Sequence, residues 1–168
     1  MTALGINASI ANTGYGIVTE EGSTLIKRDF GVIRTAPDIP IHLRLKKMYD
    51  AVIEVIHEYR PEVVVLKELS PNRKFSNVLT VGQVQGVVML AAANADLDVR
   101  SYTPSQVKQS IVGSSKSSGH QVQQMVKVLL GLKETPKPDQ LAICHLRSYK
   151  MQNLYQRLAF ERSERIRR

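Results

Sequence analysis

The sequence predicts an α/β domain built on a mixed five-stranded sheet. Three observations predict it. The first 35 residues carry three strand-like segments joined by short turns, which implies an antiparallel meander. After them, apolar runs of strand length alternate with longer stretches of helical periodicity. The run Glu62-Val63-Val64-Val65-Leu66, apolar almost without a break, has the character of a buried strand parallel to its neighbour.

Each element has its own signal. Leu4, Ile6 and Ala8 fall on one side of a strand over Thr2–Ser9. Gly14–Thr19 is the second strand, Glu20-Glu21-Gly22-Ser23 a turn, and Thr24–Thr35 the third strand. Asp38-Ile39-Pro40 opens a helix that runs to about Tyr59. Its stripe is Ile41, Leu45, Met48, Val52, Val55, Ile56 and Tyr59, and Pro61 closes it. Ser70–Asn77 is a polar, basic loop. Val78–Ala95 is a helix rich in small residues (Gly82, Gly86, Ala91, Ala92, Ala93, Ala95), which let another helix approach closely. Asp98–Tyr102 is the fifth strand. Pro104 starts a short helix carrying Gln106–Val112. Gly113–Gly119 is a Ser-rich loop, and His120–Leu132 the next helix. A last helix is expected from near Asp139 into the tail. Residues 1–147 read as one domain, and 148–168 as a basic extension, helical or disordered.

Composition narrows the function. A chain of 168 residues, 43% of them hydrophobic, suits one domain with a proper core. It has no run of 18 apolar residues, so no membrane span is expected. The N-terminus reads as neither a signal nor a transit sequence. The one cysteine, Cys144, excludes an internal disulfide and fits a reducing compartment; its apolar flanks favour a buried structural thiol over a reactive one. The net charge of +8 fits a polyanionic partner, most simply nucleic acid. Seven of the basic residues lie from Arg147 onward, so the tail explains part of that excess but not all.

A set of short stretches, in order over about residues 1 to 146, resembles one family. They are Leu4-Gly5-Ile6, Ala11-Asn12-Thr13-Gly14-Tyr15-Gly16, Gly31-Val32-Ile33-Arg34-Thr35 and Arg44-Leu45-Lys46-Lys47. They continue with Val81-Gly82-Gln83, Tyr102-Thr103-Pro104-Ser105-Gln106-Val107-Lys108-Gln109, Gln121-Val122-Gln123-Gln124-Met125-Val126 and Pro136-Lys137-Pro138-Asp139. Together they resemble the RuvC Holliday junction resolvases, crossover junction endodeoxyribonucleases with a ribonuclease-H-like fold. The resemblance implies a homodimer that acts on four-way junction DNA in recombination and repair. It also implies hydrolysis assisted by two divalent ions, usually Mg²⁺, held by four carboxylates.

The departures fall on those carboxylates. The family begins Gly-Ile-Asp-Pro-Gly where this chain has Gly5-Ile6-Asn7-Ala8-Ser9. The family's Glu at the end of the buried strand aligns with Lys67. Glu68 is next to it but belongs to the other face of the strand unless a bulge intervenes. The family's final Asp pair lies in a helix that is about four residues shorter here. Gln140 aligns with one Asp and the other is absent, while Asp139 is either a remnant ligand or the residue before the site.

Other family positions imply DNA contacts. Lys108, Lys116 and Arg73 match basic positions, and Lys74 adds a charge. Phe75 either replaces a wedge residue, whose own place is Ser70, or packs locally. His120 either meets phosphate, caps its helix or is simply exposed. Lys67 either sits against a phosphate or pairs with Asp139 or Glu68.

The reading is therefore a RuvC-like, dimeric, branched-DNA-binding protein that needs no metal and does not cut, acting in the cytoplasm at the nucleoid, with recombination or repair proteins as further partners. Two alternatives stand beside it. One is an active junction nuclease with a rearranged site that uses Mg²⁺. The other is a scaffold dimer without DNA binding.

Overall fold

The computed structural model describes residues 1–22, 24–68 and 75–136, with the backbone alone for residues 75–77. Their elements are β1 (Thr2–Asn7), β2 (Asn12–Glu21), β3 (Thr24–Arg34), α1 (Ile41–Tyr59), β4 (Val63–Lys67), α2 (Phe75–Asn94), β5 (Asp98–Tyr102), α3 (Pro104–Val112) and α4 (Gly119–Leu129). The expected helix beyond Asp139, Cys144 and the extension 148–168 lie outside the described residues.

The strands form one sheet in the order β3-β2-β1-β4-β5. β1, β2 and β3 are the antiparallel meander. β4 runs parallel to β1, and β5 parallel to β4. A parallel neighbour needs a crossover, and α1 and α2 supply the two required.

Strand alternation divides the core in two. Leu4, Ile6, Ile17, Ile33, Val64 and Leu66 pack with Met48, Val52 and Ile56 of α1 and Val84, Val88, Ala91 and Ala92 of α2. Ala3, Val18, Val63, Val65 and Tyr102 face the other way, onto Val107 and Ile111 of α3 and Val122 and Val126 of α4. Val63 to Leu66 are thus covered on both faces, as their unbroken apolar run implies. Burying a side chain of this size contributes about 1.5–3 kcal/mol.

Local chemistry sets the helix ends. Arg60 adopts a left-handed conformation (φ 45°) that ends α1, its N–H donating to Ile56 O at 2.9 Å, with Pro61 next. α3 and α4 each open on a capping box, Thr103 with Gln106 and Ser118 with Gln121.

Three boundaries differ from the sequence reading. Glu20 and Glu21 pair with Leu25 and Thr24, so two residues of the expected four-residue turn belong to β2 instead, and Gly22 after them has φ 59°. α2 starts at Phe75, not Val78. The polar stretch before Val78 looked like loop, but the first turn of a helix leaves its N–H groups unpaired anyway and tolerates polar residues. Ile41 is exposed, so the buried stripe of α1 starts a turn later than expected.

One polar cluster ties the meander to α1. The hydroxyls of Tyr15 (β2) and Tyr59 (α1) both donate to Asp29 Oδ2 (β3), each at 3.1 Å. Burial, then the Asp29 carboxylate, pushes Tyr15 up to about 12. Tyr59 also rises to about 12, through desolvation first, then Glu58 and then Asp29. A raised phenol binds its proton more tightly in the folded state. The stability it contributes is complete below the unfolded value of 10.0 and is lost as pH rises through about 12. Asp29→Asn is expected to flatten this alkaline loss, with tyrosinate absorbance appearing at lower pH. An identical absorbance titration in the variant would refute the link.

Candidate nucleic-acid interface at the carboxyl ends of the strands

β1 and β4 end side by side. Their parallel register runs Leu4↔Val64, Gly5↔Val65 and Ile6↔Leu66, so the next residues, Asn7 and Lys67, close the two strands at the same level. They share a face. Asn7 is one residue beyond Ile6, and Lys67 one beyond Leu66, and both apolar residues point to the α1–α2 layer. Asn7 and Lys67 therefore belong to the α3–α4 face, above Ala3, Val63 and Val65.

Glu68 does not join them. The β4–β5 pairing is regular through Lys67↔Tyr102, and Glu68 N–H continues it by donating to Tyr102 O at 2.8 Å. No bulge turns the carboxylate round, and Glu68 stays exposed on the opposite side.

The neighbourhood is firmly held. Gln85 of α2 donates from Nε2 to the Lys67 carbonyl at 2.6 Å, fixing the end of β4. The loop after Asn7 is pinned by buried Thr13, whose hydroxyl donates to Ser9 O at 2.6 Å and accepts from Ser9 N–H at 3.1 Å. The Thr35 hydroxyl donates to the Ile10 carbonyl. Arg44 reinforces it, with Nε to Thr35 Oγ1 at 2.9 Å and a terminal nitrogen to Ile10 O at 3.3 Å. Asn7 and Lys67 both have interaction partners within the fold. On the far side of Lys67, its strand partner Tyr102 leads through Thr103 into α3.

The sheet's carboxyl end, where β1, β4 and β5 finish, carries Lys67 and Arg34, with Glu68 exposed just beyond β4. The opposite end carries Glu20, Glu21, Glu62 and Asp98 together with the terminal amine, Arg60 and Arg100. Glu62 lies 3.8 Å from the terminal amine, and Asp98 pairs with Arg100 at 3.0 Å.

Crossover junction endodeoxyribonuclease RuvC is the description of the family model that the chain matches over residues 3–145. The chain belongs to the RuvC family. It is 41% identical over 151 residues to the RuvC crossover junction endodeoxyribonuclease of Desulforamulus reducens, covering 86% of this chain and 93% of that protein. It is 41% identical over 168 residues to the protein of the same name from Caldanaerobacter subterraneus, covering 96% of this chain and 100% of the relative. Among solved structures, Thermus thermophilus RuvC in complex with Holliday junction substrate superposes with a TM-score of 0.85 at 32% identity, over 95% of this chain and 96% of that one. The mixed sheet flanked by four described helices is the ribonuclease-H-like fold of RuvC.

Asn7 and Lys67, the two described positions where the RuvC resemblance implies carboxylates, are adjacent in space. Mg²⁺ takes oxygen ligands and favours carboxylates. Here it would meet a neutral amide and an ammonium, and these residues do not fit the ion. Among the described residues no group of three or more His, Cys, Asp or Glu could hold a metal.

Of the other expected positions, Lys108 is half-buried on α3, next to core residue Val107, and Lys116 is exposed in the α3–α4 loop. His120 is exposed on the first turn of α4, with Nε2 3.3 Å from Gln124 Nε2. It is not the helix cap, since Ser118 fills that role. Arg73, Lys74, Asp139, Gln140 and the Phe75 side chain lie outside the described residues.

Sequence reasoning missed two residues. Gln85 was hidden because its partner is a backbone atom. Arg34 sat in a matched motif, but its place on the Asn7 face follows only from strand register.

Among the described residues, no helix is long and apolar enough to cross a membrane.

Proposed function

We propose that this chain is a RuvC-family protein that binds four-way junction DNA as a dimer, without a metal ion and without cutting. One observation carries the reading: Lys67 stands beside Asn7 at the carboxyl ends of adjacent parallel strands. A metal-dependent nuclease bridges enzyme and phosphate through a cation held by carboxylates. An ammonium at that place offers the phosphate a cation directly. The Thermus relative, solved in complex with a Holliday junction substrate, supports four-way junction DNA as the ligand. Basic residues beyond 147 add sequence-independent affinity.

Dimerisation is read from α2. Leu79, Gln83, Gly86, Leu90 and Ala93 form one stripe at alternating spacings of four and three, flanked by Met89. All are exposed, with Leu79 58%, Leu90 55% and Met89 43% accessible. A side chain added at Gly82 or Gly86 would meet nothing within 4 Å in the protomer, so the close approach these glycines permit is left for a second copy. A two-fold dimer uses the same patch on both partners.

The test is salt dependence. In EDTA, the affinity of the wild-type protein for a labelled four-way junction should fall steeply with salt. Lys67→Ala should lower the slope by about 0.9 for each phosphate that is no longer neutralised. A slope unchanged by that substitution would remove Lys67 from the DNA interface.

A further inference from the structure

The rim that holds Asn7 and Lys67 continues beyond them in one direction. Arg34, the last residue of β3, pairs with Asn12, the first residue of β2, and both are exposed. Their face follows from the core. Ile33 is buried in the α1–α2 layer, whereas Phe30 packs with the α3–α4 layer. The β2–β3 register is regular from Asp29 to Arg34, so positions 30, 32 and 34 share a face with Asn12 and Gly14. Gly14 is in turn the partner of Asn7. Arg34, Asn12, Asn7 and Lys67 thus occupy one end and one face of the sheet, spread over β3, β2, β1 and β4.

Arg34 makes no ion pair and no side-chain hydrogen bond with the described residues. At a strand spacing of about 4.8 Å, it stands about 14 Å across the sheet from Lys67. That separation suits two different phosphates of one DNA strand better than a shared one. A guanidinium grips a phosphate with paired N–H donors, and the Asn12 amide beside it adds another.

We infer that Arg34, with Asn12, is a second phosphate-binding position, and that one strand of the junction crosses the rim from β4 toward β3. This rests on the proposed metal-free binding at Lys67 and gives it a direction. The row contains no carboxylate, so nothing on it repels a strand lying along it. The opposite path, from Lys67 over α3 toward Lys108, is the competing outcome.

The experiment uses the full chain, a labelled four-way junction and EDTA. Wild type, Arg34→Ala, Arg34→Lys, Lys67→Ala and the double alanine variant are compared by salt-dependent affinity and by phosphate-ethylation interference. Arg34→Ala is expected to lower the salt slope by about 0.9 for each phosphate it ceases to neutralise, and the double variant by the sum of the two single effects. Arg34→Lys should keep the slope but bind more weakly, because a lysine supplies charge without the paired donors. Interference should disappear in Arg34→Ala at a phosphate on the same strand as the Lys67-dependent one. A slope unchanged by Arg34→Ala but lowered by Lys67→Ala overturns the second position alone. Slopes unchanged by both overturn the underlying reading as well. An Arg34-dependent phosphate on a different strand, or interference shifted toward Lys108, overturns the path. Arg34 is exposed and has no partner among the described residues, so its variants should melt with wild type and report on binding rather than folding.

Discussion

Asn7→Asp combined with Lys67→Glu is expected to weaken junction binding in EDTA by on the order of a hundredfold, at about 1 kcal/mol for each unit of charge near a phosphate. The two substitutions add three negative charges on one face at the ends of β1 and β4. Without a cation, those carboxylates repel the DNA backbone. With Mg²⁺ present, a carboxylate pair on neighbouring strands supplies the hard oxygen ligands the ion requires, and affinity should recover. Wild type should bind about equally well with Mg²⁺ or EDTA at matched ionic strength. Fluorescence anisotropy on a labelled four-way junction gives all four affinities. A double variant that binds in EDTA as tightly as wild type would show that the rim does not touch DNA. Circular dichroism checks that the variant stays folded.

The second large effect concerns α2. Leu79→Glu with Leu90→Glu should halve the mass measured by sedimentation equilibrium, because each charge enters the apolar stripe twice in a two-fold interface. Both leucines are more than half exposed in the protomer, so the fold itself should lose little. Junction affinity should fall by about 10² or more, since the second protomer then no longer binds at the high effective concentration a dimer provides. Lys67→Ala, by contrast, should leave the mass unchanged. A variant that remains dimeric would place self-association on another surface.

Much of this architecture is legible from the chain. The apolar run Val63–Leu66 specified a strand covered on both faces, and the alternation of Leu4, Ile6 and Ala8 specified which side of β1 meets the first layer of helices. The same alternation placed Lys67 opposite Glu68, and the β4–β5 ladder is regular there, with no bulge to bring Glu68 round. Less legible were features set by several elements at once. The start of α2 was obscured because a helix's first turn accepts polar residues. Ile41 looked like core because periodicity carries no information on where a helix overhangs its sheet. Arg34 joined the candidate site only when β1, β2 and β3 were in register, since successive pairings place it there. Gln85 could not be found from side-chain chemistry, because it holds Lys67 through the backbone carbonyl.

The most direct test of metal-free, non-cutting junction binding uses a labelled four-way junction and a linear duplex of equal length. Each is incubated with the protein in Mg²⁺ or in EDTA and resolved on native and denaturing gels. Junction-selective complexes in EDTA and intact strands in Mg²⁺ are expected. Symmetric nicks in Mg²⁺ that EDTA abolishes would contradict that expectation and show that a functional metal site survives in this chain.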